Sequence, residues 1–257
     1  MLAYTLTHYP LLLLVILRIA GMIGASPIFS TKSFPTVAKV GLVVMMSLWT
    51  VGLVHASVPS PISKPGAFIV LAVVESVTGL FFGFIATMIF SVLTVAGQLI
   101  DVQIGFSSAE LFNPQMSFVT GLSGTFFNLL FTLYFLGENG LDGLALTAID
   151  SYHLIPIGAF HFPASFASAL SSLMDVVMAD AVQLAAPVMV ALLLTNITFA
   201  LLTRVVPQMN VYITGLPVQL FVGLAIFAIA MPGMVELFGH IFNTLFADLS
   251  IFMHYTG

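Results

Sequence analysis

The tetrapeptide GLSG at 121–124 invites comparison with the motif of an intramembrane serine nucleophile. That chemistry also needs a histidine base within hydrogen-bond reach of Ser123. The six histidines, His8, His55, His153, His161, His240 and His254, fall mostly at segment ends or in loops, so proteolysis is not expected. No HExxH, phosphate loop or paired-acid motif occurs, and the histidine spacing shows no zinc pattern. With no cysteine, disulfides, iron–sulfur clusters and thiolate zinc sites are excluded. The expectation is a protein without catalysis, cofactor or metal.

The remaining polar residues stand out because they interrupt apolar sequence. Arg18 lies inside LLLLVILRIAGMIGASP, where a central arginine costs roughly 2.5–3.5 kcal/mol on insertion scales. It must either snorkel to a headgroup or join a structural ion pair. Glu75, Gly79, Gly83, Thr87 and Ser91 recur every four residues and form one narrow helical stripe. Gly79 and Gly83 make a GxxxG pair that lets another backbone come close. The flanking Phe81, Phe82, Phe84, Ile85 and Met88 are expected to meet lipid or other apolar partners. Glu75 reads as a structural group or a proton carrier.

Two polar breaks follow. The first is GQLIDVQIGFSSAELFNPQMSF, 97–118, where Gln98 and Asp101 are expected to share a helix face, with Gln103 just beyond. Gly105 and Pro114 then bracket a segment that cannot stay helical. Irregular backbone at membrane depth survives only inside protein or beside water. A surface loop would account for its polarity. Phe106, Leu111, Phe112 and Met116, mixed with Ser107, Ser108, Glu110, Asn113 and Pro114, instead suit a displaceable plug in a protein-lined channel. The second break, LLTRVVPQMNVYITGLPVQL, places Arg204, Gln208 and Asn210 around Pro207, with Gly215 and Pro217 beyond. It is expected to form a tight hairpin between two helices.

The elements that hold these groups are apolar throughout. Of 257 residues, 60% are hydrophobic and 6% charged, and the mean hydropathy is +1.17, so the chain is an all-α integral membrane protein. A net charge of −5 with five Lys plus Arg leaves no basic patch for nucleic acid. Apolar windows fall at 10–25, 40–58, 67–96, 119–136, 181–202 and 211–231, nominally six segments, followed by an amphipathic stretch at 233–255. A span needs about 20 residues, so 67–96 is too long for one straight crossing. No Lys or Arg precedes the first run, so that run is expected to stay rather than be cleaved as a signal. Lys32, Lys39, Lys64 and Arg204 give a weak vote for an outside N-terminus.

Several longer stretches carry a family resemblance. LRIAGMIGASPIFSTKSFPTVAKVGL, ESVTGLFFGF, AGQLIDVQIGFSSAELFNP, LIPIG and RVVPQMNVYITGLPVQLFVG occur in order along nearly the whole chain. They resemble the family of the flagellar export protein FliR, which includes the T subunits of virulence type III secretion systems. PQMNVYITGLP and AGQLIDVQIG are the most specific parts, and the flagellar branch fits better. Asn113-Pro114 stands where relatives often carry Asp-Pro.

The resemblance implies a single export-gate domain over 1–257, with a part like FliP over about 1–180 and a hairpin part like FliQ over about 181–257. It implies assembly with FliP and FliQ, neighbours FlhB and FlhA, and a place in the flagellar basal body of the bacterial inner membrane. Much of that assembly would lie on the periplasmic side, so the six segments need not be full crossings. Phe106, Phe112 and Met116 would pack the lumen as part of the plug, with Gln98, Asp101, Gln103 and Gly105 at its base, and unfolded flagellar subunits would pass when it moves. The alternative is a proton-coupled small-solute transporter using Glu75, Asp101 and the two breaks.

Overall fold

The computed structural model describes residues 9–30, 35–54, 56, 58, 59, 61, 64–105, 121–162, 164–205 and 211–256. Every regular element among them is a helix: α1 Tyr9–Ala25, α2 Pro27–Ser30, α3 Thr36–Val51, α4 Pro65–Ile104, α5 Leu122–Gly137, α6 Gly140–Leu154, α7 Phe166–Val205 and α8 Val211–Thr256. Three of these are long and apolar enough to cross a membrane: α4, α7 and the Gly215–Thr256 portion of α8. α1, α3 and α5 are shorter apolar helices. The protein is an all-α membrane protein.

The helices are longer than the hydropathy windows. α4 runs unbroken for 40 residues, about 60 Å at 1.5 Å per residue, against a hydrocarbon core of about 30 Å. It absorbs the start of the first polar break, through Gln98 and Asp101. α8 joins the window at 211–231 and the amphipathic stretch at 233–255 into one helix of 46 residues. Prolines explain part of this pattern. Pro27 and Pro65 open α2 and α4, where the missing N–H would have no helical partner anyway. Pro187, Pro217 and Pro232 lie inside helices, a placement that membrane helices tolerate when nearby groups satisfy the freed carbonyls. Asn139, at φ 56 and ψ 34, makes the short turn from α5 to α6; its compact polar side chain tolerates this left-handed conformation.

The helices contribute to two compact units. Unit 1 comprises Met1–Ile89, Phe135–Leu173 and Asn243–Gly257, and unit 2 comprises Phe90–Tyr134 and Met174–Phe242. In unit 1 the core joins Leu14, Val15 and Ile19 of α1 to Ile85 and Ile89 of α4 and Leu249 of α8. Phe81 sits among Phe160, Phe162, Phe166 and Phe252, with ring centroids 5.4–6.0 Å away. Phe81 and Phe82 are therefore packed on protein, while Phe84 remains 48% exposed. In unit 2 the core joins Ile100 of α4, Phe127 and Phe131 of α5, Leu184 and Val188 of α7, and Phe238 of α8. Phe131 meets Phe90 and Phe238 edge-on, at 4.9 and 5.5 Å, the geometry aromatic quadrupoles favour.

Candidate functional site

In unit 1 the stripe on α4 meets a matching stripe on α1. Arg18, Gly21 and Ala25 lie on one face of α1 by their spacing of three and four, and that face is where α4 comes closest. A Cβ placed on Gly79 would collide with the Arg18 backbone, and one on Gly21 would reach within 2.8 Å of the Leu80 nitrogen. One turn on, the Thr87 hydroxyl donates to the Ala25 carbonyl at 2.7 Å. Glycine on both helices brings the axes close enough for a short, fully buried ion pair.

That pair is Arg18 with Glu75. Arg18 Nε donates to Glu75 Oε2 at 2.6 Å and Nη2 donates to Oε1 at 3.0 Å, the bidentate geometry that suits a guanidinium. Nη1 donates to the carbonyls of Ser151 and Ile155, both at 3.0 Å. The Gly158 N–H, held at φ 80, donates to Glu75 Oε1 at 3.0 Å. The guanidinium also lies 4.0 Å from the centre of the Tyr152 ring, a cation–π contact. Burial pushes the Tyr152 phenol well above the ordinary tyrosine range, against the pull of the Arg18 charge. Arg18 is 2% exposed and Glu75 is fully buried. A buried pair is tolerable only when its remaining donors and acceptors are also engaged, and here the C-terminal end of α6 and the LIPIG stretch engage them. Arg18 does not snorkel.

In unit 2 a second carboxylate ties the ends of the first break together. Ser123 Oγ donates to Asp101 Oδ1 at 2.5 Å, and the Ser123 N–H donates to both carboxylate oxygens at 3.2 Å. Asp101 thus caps the N-terminus of α5 from a different helix, where a carboxylate complements both the free amides and the helix dipole. Ser123 thus tethers the start of α5 to the end of α4. The described histidines, His153, His161, His240 and His254, are exposed.

Gly105, at φ 93, ends α4, and its N–H donates to the Asp101 carbonyl at 3.2 Å. Gly121, at φ 72, lies against the Asp101 carboxylate. A Cβ on Gly97 would collide with the Gly124 backbone, and Asn128 Nδ2 donates to Thr94 Oγ1 at 3.1 Å. The C-terminal end of α4 and the N-terminal end of α5 are thereby zipped together just before and just after the break.

The family model for bacterial export proteins, family 1, matches residues 9–245. The chain belongs to that family. The flagellar biosynthetic protein FliR of Escherichia coli (strain K12) is 28% identical to it over 233 residues, covering 90% of this chain and 88% of that protein. The FliR of Bacillus subtilis (strain 168) is 27% identical, covering 91% of each chain. The FliR of Aquifex aeolicus (strain VF5) is 27% identical, covering 94% of this chain and 93% of its own.

In this export-family chain the expected site residues fall in different settings. Asp101 is buried, Gln98 on the same helix is exposed and Gln103 is half-buried, so the first two do not share an environment. The plug residues Phe106, Ser107, Ser108, Glu110, Leu111, Phe112, Asn113, Pro114 and Met116 lie outside the described residues, as do Pro207, Gln208 and Asn210. Arg204 is exposed in the last turn of α7, where a cation complements the helix dipole. Gly215 and Pro217 lie within α8, past any turn between α7 and α8. Asn196 of α7 accepts a hydrogen bond from Gln219 of α8, so polar side chains link these two helices within unit 2.

Sequence reasoning assigned no role to Ser151, Tyr152 or Gly158, and it left Arg18 without a partner. The signal was present: one cation and one acid, each isolated in apolar sequence, have few ways to avoid hydrocarbon except one another.

Proposed function

We propose that this membrane protein of the bacterial export family is a structural, channel-forming subunit of the flagellar type III protein export gate. It would assemble with FliP and FliQ, contact FlhB and FlhA, and sit in the inner membrane at the flagellar basal body. The part over about 1–180 would act as the FliP-like portion and the part over about 181–257 as the FliQ-like hairpin. The stretch 106–116 would close the channel, and unfolded flagellar subunits would pass when it moves aside.

The single observation that carries the plug reading is the Asp101–Ser123 tether. Gly105 ends α4 one turn beyond Asp101 and Gly121 lies against the Asp101 carboxylate, so the described residues on either side of 106–120 are held near one another. An excursion with pinned ends can be withdrawn without disturbing the helices that carry it. Its aromatic and methionine side chains suit a protein-lined passage better than water. The transporter alternative needed Glu75 free to exchange protons, whereas Arg18 and Gly158 hold both of its oxygens.

The test is ion conductance across the complex assembled with FliP and FliQ, with 106–114 deleted. A leak of ions or small solutes is expected; a complex that assembles normally and stays as tight as the parent rules out the plug.

A further inference from the structure

Unit 1 contains a cavity of about 190 Å³ between α1, α3 and α6, with Ala86 of α4 contributing to its wall. The lining residues run from Ile19 to Ser26 along the first chain segment, with Phe29 of α2 beyond, from Leu42 to Trp49 on α3 and from Leu141 to Ala148 on α6. Seven residues of helix rise span about 10 Å, so the space is elongated along three helices. Its walls are aliphatic, aromatic and thioether, and Met22, Met45 and Met46 can adapt to an irregular occupant.

Ser26 lines the same cavity. It is 3% exposed, and its hydroxyl has no hydrogen-bond partner among the described residues. A buried hydroxyl left in this state is uncommon and calls for an explanation. Water is a poor one, because a buried water needs two to four polar partners and these walls are overwhelmingly apolar. Asp142, the other polar lining residue, is exposed in the first turn of α6. Met45 and Trp49, 65% and 59% exposed, bring the cavity to the outer surface of α3, which Val40 and Val44 continue as apolar surface.

We propose that this cavity binds one acyl chain of a glycerophospholipid, with the ester carbonyl accepting a hydrogen bond from Ser26 Oγ. The elongated shape fits a chain, the free donor fits a carbonyl acceptor, and the exposed apolar face of α3 gives entry from the bilayer. Asp142 favours a headgroup with an amine over a purely anionic one. A dry cavity of about 150 Å³ already takes a benzene-sized ligand, so this one holds the part of a chain next to its ester while the remainder lies along α3.

The test uses the full chain in nanodiscs containing phosphatidylethanolamine with a diazirine on one acyl chain. Peptide mapping after illumination should show labelling at Met46, which is buried, as well as at Leu194, which is 59% exposed on α7. Ala145→Phe, which fills the cavity, should abolish the Met46 label and leave the Leu194 label unchanged. Ser26→Ala should lower lipid retention through detergent exchange about fivefold, the worth of one ordinary hydrogen bond. Helix content and melting temperature, measured on each variant, separate loss of the site from loss of fold. If Ala145→Phe does not fold, Ser26→Ala decides alone. Labelling confined to exposed positions overturns the proposal. So does a Met46 label indifferent to both substitutions, or occupation of the cavity by a partner subunit's side chain.

Discussion

Arg18 and Glu75 show how a single residue can be costly alone and stabilising in company. Replacing one member strands the other as a buried charge, which costs about 3–5 kcal/mol, whereas replacing both by apolar residues of similar size is often neutral. Arg18→Met and Glu75→Met should therefore each sharply lower the melting temperature and folded yield in detergent, and the double variant should recover most of the loss. Losses that simply add would show that the two side chains do not depend on one another. Tyr152 belongs to the same cluster, and its phenol must remain neutral there. Its folded-state pKa is raised, so its share of stability is present below the ordinary tyrosine value near 10. That share is lost as pH rises beyond it. This partnership was half legible in the sequence: the isolation of both charges was plain, but their pairing is 57 residues long-range, and nothing local encodes which helices meet.

At the scale of elements, glycine placement decides which helices can approach. Gly21, Gly79 and Gly97 face backbone where a Cβ would stand, while Gly24 has open space around it. Gly79→Ala or Gly97→Ala must push two main chains apart, at an expected cost of about 1–3 kcal/mol or more from overpacking. Gly24→Ala should instead be neutral or stabilising by up to about 1 kcal/mol, because alanine is the better helix former. Denaturant or thermal melts of the three variants test this ranking, and equal effects at Gly24 and Gly79 would contradict it. The GxxxG stripe was readable from spacing alone, since every fourth residue shares a face. Its partner, α1 of the same chain, was not. The end of α4 is legible only in part for a related reason. Gln98 and Asp101 read as one helix face and both are helical, yet nothing local shows that the Asp101 carboxylate is buried because the Ser123 N–H at the start of α5 receives it. A polar residue within an apolar helix can be a cap for a neighbour, and the sequence of one helix does not reveal that.

For the whole molecule, the apolar side chains exposed on unit 2 set the context in which it works. Val190, Leu193, Leu194, Ile197 and Leu201 form an exposed stripe along α7, and Phe221 of α8 is 75% exposed, surfaces that water would not tolerate and that lipid or fellow subunits must cover. Within unit 2 the tether at Asp101 joins the end of α4 to the start of α5. Asp101→Leu removes the acceptor for the Ser123 hydroxyl and N–H and leaves α5 uncapped, a loss of about 0.5–2 kcal/mol for a helix N-terminus. Asp101→Asn keeps one acceptor oxygen and should lose less. If the segment between Gly105 and Gly121 closes a passage, the assembled complex should leak ions in the order deletion of 106–114, then Asp101→Leu, then Asp101→Asn, then parent. Single-complex conductance in a planar bilayer measures that order directly. A tight pore in Asp101→Leu, alongside a leaking deletion, would keep the plug but show that its hold lies elsewhere than at this carboxylate.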